Sequence, residues 1–520
     1  AQRRDRCDYY GDDAFLQKVL RHHAGEEWAQ GHERVARFSA EVSTRWREFA
    51  EISALPENQP RMMHYDGHGH RIDRILRPRE TLLMESEILA HGIFSARTPR
   101  WERLAKLLLL HQNGEAGVMC AMACTEGLIA ITEAHLDTAG EAVEAIWQHC
   151  KEGIDGGFGI GAQFLTEVQG GSDVPANLVE AVPDGGRYRL FGVKFFCSAC
   201  HADYAVVTAK VTGSEAVSTF VVPTWLSGER ERELRNGQII RRLKRKLGTI
   251  ELPTAEIEFQ GALAYPVGPL GKGVANVVAH VLTLSRLNVS ISNAATNLRA
   301  AREARLYTEF RRVFGERVID YPIARGQIAE LEDSAQRTLA GLFKVYALFI
   351  RLGCRLTAGL PKDDDQALRS AKFRLRILIM LQKIATTREA IDTLHKAMSL
   401  FAGHGVMECF SALPRLLRDA MINEQWEGPR NLLLNQIHTD LRRVAAWYGP
   451  AQFVADLLEG APPTQAEELG AALREIVEQE IFAVTQRATD EAIGLAGRWD
   501  RLAQDLFTAY QKQALQELQT

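Results

Sequence analysis

The sequence predicts an α+β chain, with helical segments at both ends and a β segment between them. Three observations predict it. Apolar residues recur at the helical period over residues 14–53 and 78–155; from about 161 to 268 the period falls to two; after Gly273 it returns to the helical value in four long runs, 274–311, 322–358, 366–402 and 414–443. At 520 residues the chain is too long for one compact core. The expected modules are a helical domain with an N-terminal extension over 1–160, a β domain over 161–268, a helical bundle over 269–445 and extra C-terminal helices over 446–520.

Composition excludes several classes of function. The chain is 46% hydrophobic and 25% charged, with a formal net charge of −4. No global positive field draws it to nucleic acid or to an anionic membrane. Eight cysteines, at 7, 120, 124, 150, 197, 200, 354 and 409, are scattered rather than set out as a disulfide framework, which suits a reducing compartment. The first ten residues mix arginines with early acids and have no apolar core, so neither a secretory signal nor a transit peptide is expected. The longest aliphatic run, Leu107–Leu110, is far short of a bilayer span. The expected location is the cytoplasm.

Residues 14–53 read as helix, interrupted at Gly25 and Gly31. Pro56 and Pro60 end it, and residues 62–73 read as a short hairpin turning at Asp66-Gly67. His64, His68 and His70 lie there, but a solvated glycine-rich turn accounts for them and no acid or cysteine cluster completes a ligand set. No metal site is expected. Gly156-Gly-Phe-Gly-Ile-Gly-Ala162 follows a helix rather than a strand, so it reads as a connector and not as a dinucleotide fingerprint. Gly268–Gly273 lacks the spacing and the hydroxyl of a P-loop. In the β segment, residues 188–198, 203–211, 218–226 and 255–265 alternate and are rich in β-branched and aromatic residues. Cys197-Ser-Ala-Cys-His201 matches a haem-attachment pattern, yet it lies in a strand with no second axial ligand in view. The basic run Arg241–Lys246 reads as a solvated strand face. Pro361–Asp365 is a loop of the bundle, and Pro462-Pro463 marks a boundary. Residues 464–520 carry ten acidic side chains against five basic ones. That is the wrong sign for a DNA-binding module, so DNA binding is expected to be weak or absent.

One carboxylate stands out. Glu427 lies between Trp426 and Gly428, where the indole shields it from water, so its pKa should rise toward the range in which it accepts a proton from carbon. It is the candidate catalytic base.

Read with that segment, Phe164-Leu-Thr-Glu-Val-Gln-Gly-Gly-Ser-Asp-Val174, Arg242-Leu-Lys-Arg-Lys-Leu-Gly248 and Asn423-Glu-Gln-Trp-Glu-Gly428 resemble the acyl-CoA dehydrogenase family, and particularly its AidB-like branch. The resemblance covers roughly residues 60–445 and implies the same order of helical domain, β domain and bundle. It implies FAD as cofactor, with Leu165 and Thr166 at the flavin ring and Gly170, Gly171 and Ser172 at the turn near the pyrophosphate. Lys194-Phe-Phe-Cys-Ser198 resembles the family's K-x-W-x-[ST] strand, so Phe196 would flank the flavin and Ser198 would lie near its N5. Arg311 and Phe314 match an R-x-x-F-G element that reaches a neighbouring subunit's cofactor. Gly403, in Ala402-Gly-His-Gly405, matches a turn that does the same, with Ala402 departing from the family's first glycine. The implied assembly is a homo-oligomer, a tetramer built as a dimer of dimers. Trp426 and Asn431 complete the cofactor side, although Pro429-Arg430-Asn431 stands where the family has [ST]-x-[QN]. Arg286 corresponds to an arginine near the acyl-CoA channel, and Ser172 also borders the substrate. The residue before Arg286 is Ser285, so the base position used by some members holds no acid and Glu427 stands alone. The implied activity is an FAD-dependent oxidation of the Cα–Cβ bond of an acyl-CoA, with an electron acceptor such as an electron-transfer flavoprotein. The alternatives are an AidB-like flavoprotein with a nucleic-acid-protective or non-catalytic binding role, and a flavin oxidase or monooxygenase on the same fold.

Overall fold

The computed structural model describes residues 6–353, 359–482 and 488–519. The first five residues, Cys354 with the end of the expected 322–358 run, and Arg487 of the acidic tail lie outside the described residues. By contact the chain resolves into two compact units, residues 33–288 and residues 1–32 with 289–520.

In the first unit, strands β1 (Arg61–Tyr65) and β2 (Arg71–Leu76) form the expected antiparallel hairpin. Asp66 closes its turn, accepting through Oδ1 from the amides of His68 and His70. His64 Nδ1 lies 2.7 Å from Asp73 Oδ1, and His70 Nδ1 lies 3.2 Å from Asp66, so these two histidines pair with the hairpin's own acids. Helices Arg79–Ala90, Arg100–His111, Ala116–Glu133 and Glu141–Lys151 follow. Glu115 starts the third of them by accepting from the Val118 amide at 2.6 Å, an N-cap that satisfies one of the helix's orphan donors. Ala116–Glu133 and Gly273–Phe310 are long and apolar enough to cross a membrane by length and composition, well beyond the four-leucine limit read from the sequence. Both are largely buried inside the fold, where their apolar surface packs the core.

The glycine-rich connector leads into β3 (Gly161–Phe164). A Cβ on Gly161 would lie 2.9 Å from Thr125 Cα, so glycine lets this strand approach helix Ala116–Glu133. Strands β4 (Glu180–Asp184), β5 (Arg187–Ser198), β6 (Tyr204–Val211), β7 (Val217–Pro223) and β9 (Thr254–Pro266) pair in a closed ring; β3 adds to β6, and β8 (Gln238–Leu243) adds to β9. The longest pairing runs antiparallel between β5 and β9, from Tyr188↔Ala264 to Ser198↔Thr254.

The second unit is helical. Its framework is Thr283–Phe310, Pro322–Arg351 and Gln366–Leu400, followed by Leu413–Gln425, Arg430–Val444, Pro450–Leu457, Pro463–Glu478 and Asp490–Glu517. Helix Ala14–Ala24 packs on Pro322–Arg351, so the N-terminal extension belongs to this unit. Gly25, at φ +51°, ends that helix as expected. Gly31 does not interrupt the next one; it is buried within Glu26–Ser43, because packing outweighs the roughly 1 kcal/mol that glycine costs a helix. The C-terminal helix packs on both Pro322–Arg351 and Gln366–Leu400, with Trp499 fully buried and donating to the Leu434 carbonyl. The expected single run 414–443 is two helices. Gly428 and Pro429 break it, since the residue before proline is pushed out of the helical region.

Candidate functional site

In the first unit, residues 165–179 form a loop built around one buried ion pair. Lys194 and Glu167 approach to 2.6 Å with both side chains inaccessible. The ammonium also donates to Leu165 O at 3.1 Å, Asn177 Oδ1 at 3.1 Å and Thr208 Oγ1 at 3.3 Å. The carboxylate also accepts from the amides of Leu178 and Val179 and from Gln169 Nε2. Burial raises the Glu167 carboxyl, but the ammonium and these donors hold it below the usual range; burial pushes Lys194 down to about 8, against the pull of Glu167. The pair places the residues expected at the flavin. The Thr166 carbonyl accepts from the Phe195 amide at 2.9 Å, and a Cβ on Gly171 would lie 3.0 Å from Thr166 Oγ1, so the turn folds back over that hydroxyl. Gly170 is open, with no neighbour closer than 3.8 Å to a Cβ built there, and Ser172 is exposed.

On β5, Phe196 is 50% exposed, so an aromatic face is presented outward at the expected position. Ser198 Oγ lies 3.2 Å from Thr254 Oγ1 across the β5–β9 pairing, and Thr254 accepts in turn from Lys246 Nζ. The basic run is therefore not a uniformly solvated face. Arg241 and Arg242 are exposed and paired with Glu258 and Glu256, but Lys244 is nearly buried, sits 3.3 Å from the centre of the Phe195 ring and pairs with Glu256. The Cys197–His201 run is used inside the fold. Cys197 and Cys200 are buried, burial pushes the Cys200 thiol up to about 12, and His201 Nε2 lies 3.2 Å from Glu85, the buried partner of Arg77. Arg286 is buried on helix Thr283–Phe310, next to Ser285, which accepts from Gln163 Nε2 at 3.4 Å. A π-helical turn, Val277–Leu282, immediately precedes this helix, an irregularity frequent at functional sites.

In the second unit, helix Leu413–Gln425 ends at Trp426, and Arg430–Val444 begins four residues later. Between them Glu427 has φ +57° and Gly428 φ +97°. Glu427 is half-buried, whereas Asn431 is exposed. Lys383, fully buried on Gln366–Leu400, donates to Glu424 O at 3.0 Å and to Gly428 O at 2.9 Å. Burial raises the Glu424 carboxyl, partly offset by Lys383. Arg430, between the Pro429 that replaces the family's hydroxyl and Asn431, is buried and bonded to Ile384 O and to Asp500.

Arg311 closes helix Thr283–Phe310 by donating its amide to Tyr307 O and accepting from the Val318 amide. A two-residue hairpin follows, pairing Val313 with Glu316. Phe314 and Gly315 sit at its tip with φ +51° and +91°, and Phe314 is 96% exposed. Gly403 lies in an open turn next to Ala402, itself at φ +48°. His404 Nδ1 lies 3.1 Å from Tyr307 OH, which ties this turn to the helix that ends at Arg311. Gly405 is obligatory, because a Cβ there would lie 2.1 Å from Met398 O. The expected residues thus gather as a loop and strand cluster in one unit and as two turns and a hairpin in the other. Lys383 and Asp500 were not singled out in the sequence; a lysine inside the apolar run Ile377–Ala385 was the available signal for the first.

Sequence models of known families match most of the chain. Residues 162–262 match the acyl-CoA dehydrogenase middle domain, 271–441 the acyl-CoA dehydrogenase C-terminal domain, and 1–149 the adaptive response protein AidB N-terminal domain. "Acyl-CoA dehydrogenase family member 11" of Caenorhabditis elegans is 28% identical over 525 residues, covering 96% of this chain and 81% of that protein. "Putative acyl-CoA dehydrogenase AidB" of Escherichia coli K12 is 26% identical over 475 residues, covering 85% and 79%. Among solved structures, the apo form of Bd2924 superposes with a TM-score of 0.84 at 24% identity, covering 99% of this chain and 98% of that one. C. elegans ACDH-11 in complex with C11-CoA superposes at 0.77 and 24% identity, covering 98% and 90%. An acyl-CoA dehydrogenase complexed with FAD from Bacillus anthracis superposes at 0.69 and 16% identity, covering 95% and 83%. The structural likenesses show the fold; with the matched domains and the full-length relatives, the chain belongs to the acyl-CoA dehydrogenase family, in its AidB-like branch.

Proposed function

We propose that the protein is an FAD-dependent acyl-CoA dehydrogenase that removes the α proton and the β hydride of an acyl-CoA thioester. The observation that carries this reading is Glu427, a half-buried carboxylate on a left-handed turn beside Trp426. A non-glycine residue held in that conformation persists only where its surroundings over-determine it, and such strain clusters at functional sites. In this role Glu427 takes the α proton as general base.

The residues present suit FAD. Phe196 offers an exposed aromatic face for the flavin ring; Thr166 and Ser198 offer hydroxyls beside it; Gly170, Gly171 and Ser172 offer an open turn for the pyrophosphate. Leu165, Trp426 and Asn431 complete the cofactor side, and Arg286 and Ser172 the substrate side. Bound FAD supplies the two-electron acceptor for the β hydride. Arg311, Phe314 and Gly403 serve a neighbouring subunit's cofactor, so the working form is a homo-oligomer, a tetramer formed as a dimer of dimers. A fully exposed phenylalanine on a strained hairpin tip supports that role. Electrons leave to an acceptor such as an electron-transfer flavoprotein, and the protein works in the cytoplasm. Duplex DNA is not proposed as a ligand, because the C-terminal tail is acidic. The module limits are proposed at residues 160, 268 and 445.

The test is anaerobic titration of the FAD-loaded protein with acyl-CoAs of different length and branching, C11-CoA among them, followed by the flavin spectrum. One class should bleach the flavin. Glu427→Gln keeps the volume and removes the base, so bleaching should slow by about 10²–10⁴-fold while FAD content holds. If the variant bleaches at the wild-type rate, Glu427 is not the base; if no acyl-CoA bleaches the wild type, the binding-protein reading takes over.

A further inference from the structure

We propose that the C-terminal helix Asp490–Glu517 is part of the catalytic apparatus: Asp500, acting through Arg430, fastens the turn that carries Glu427, with Lys383 as the second fastening. This rests on the reading of Glu427 as the base. It adds a positioning role for an element that lies beyond residues 271–441, the segment that matches the family's C-terminal domain.

The turn needs fastening. Two consecutive residues, Glu427 and Gly428, have positive φ, and for the glutamate this backbone conformation is strained, because its Cβ crowds the following carbonyl. A four-residue link between two helices relaxes from such a state unless its ends are held. Both ends are. Lys383 bonds the carbonyls of Glu424 and Gly428, one on each side of Glu427, and the first of these belongs to the last turn of a helix, where carbonyls lack intrahelical partners. Arg430 fixes the far end, with one bond to Ile384 O at 3.0 Å, next to Lys383 on the same helix, and two bonds to Asp500, to its carboxylate and to its carbonyl at 3.2 Å.

The arginine has no local reason to be there. It is the first residue of helix Arg430–Val444, where the helix dipole disfavours a cation, and its guanidinium is almost fully buried, which adds a desolvation penalty. Asp500 offsets both. Its other carboxylate oxygen lies 3.5 Å from Arg388, on the same helix as Lys383. One carboxylate of the C-terminal helix therefore holds the start of the helix that follows the base to the helix that supports the turn from below.

The test uses the full-length protein with Asp500→Ala and Asp500→Asn, the latter keeping an oxygen that accepts from Arg430 Nε. Two readouts are taken: hydrogen exchange at amides 426–428 and the rate of flavin reduction by C11-CoA, alongside FAD content and binding of the enoyl product. Loosening the turn should speed exchange at 426–428 without changing exchange in helix Asp490–Glu517. Displacing the base should slow reduction by about 10²-fold in Asp500→Ala, and less in Asp500→Asn, with FAD content and product binding within about twofold of wild type. Should Asp500→Ala fail to fold, Asp500→Asn decides in the same way. Unchanged exchange at 426–428 overturns the fastening. A reduction rate that falls only in step with lost FAD overturns the positioning role and leaves Asp500 structural. The exchange readout needs no turnover, so it separates failure of this proposal from failure of Glu427 as base, which Glu427→Gln reports on its own.

Discussion

Replacing Lys194 by methionine tests whether the loop of residues 165–179, proposed to meet the flavin, is held from beneath by a single buried ion pair. Methionine keeps the length of the stem, so the cavity contribution is small. The change strands Glu167, a carboxylate with almost no exposed surface that loses the ammonium 2.6 Å away and keeps three neutral donors, Leu178 N, Val179 N and Gln169 Nε2. Breaking a buried pair from one side costs about 3–5 kcal/mol, a large share of a domain stability of roughly 5–15 kcal/mol. The intact pair contributes far less than that figure, because burial penalises both charges; it pushes Lys194 down to about 8 even beside its partner. Neutralising both should therefore recover much of the loss. The assay is urea unfolding by tryptophan fluorescence, with FAD affinity measured in parallel, for Lys194→Met, Glu167→Gln and the double variant. The single lysine variant should lose about 3–5 kcal/mol and bind FAD more weakly, since Leu165 O, Asn177 and Thr208 lose the same donor. The double variant should regain at least half. Losses that simply add would show that the two side chains do not act on each other, and the reasoning would fail.

Two further outcomes are expected. Burial and the nearby Glu251 push Glu115 up to about 8; the folded state then holds a proton that the unfolded chain has released, so this group's contribution falls as pH rises from about 4.5 to 8, by up to about 1.4 kcal/mol per unit. Glu115→Gln removes that dependence, so its stability relative to wild type should climb across this window and level off above it; a difference that stays flat from pH 5 to 8 rejects the assignment. Phe314→Asn puts a residue tolerant of positive φ into a two-residue hairpin turn, so the thermal midpoint of the apo chain should rise by an amount worth up to about 1–2 kcal/mol, while light scattering and FAD retention show a weaker assembly. Unchanged assembly and retention would place Phe314 outside any subunit interface.

Much of this architecture is legible in the sequence, because burial imposes a period on each element. The fall from 3.6 to two near residue 161 and the return after Gly273 coincide with the start of β3 and with the helices from Gly273 onward. Where the reading failed, a different constraint had taken over. The run 414–443 keeps its apolar period through the break at 426–429, since the helices on both sides bury the same kind of face; Gly428-Pro429 was the local signal of the break. The basic run Arg241–Lys246 does not alternate simply, because the β8–β9 register shifts between Ile240 and Arg242. Arg242 and Lys244 then share Glu256, one exposed and the other nearly buried.

The site divides in the same way. Groups expected to touch cofactor or substrate are fixed in type and order by chemistry, so Thr166, Gly170, Gly171, Ser198 and Glu427 sit in short recognisable strings. Groups that hold those strings in place need only bring a charge or a donor from some direction, and the chain supplies them from afar. Lys194 reaches Glu167 from 27 residues away, Lys383 reaches Gly428 from 45, and Asp500 meets Arg430 from 70. No local pattern records such a pairing, but its burial leaves a trace. A cation is stable inside a core only if its donors are satisfied, so a lysine within Ile377–Ala385, or an arginine buried at the start of a helix where the dipole disfavours a cation, already implies carbonyls or a carboxylate nearby. In this chain both anomalies converge on the same turn, the one that bears Glu427.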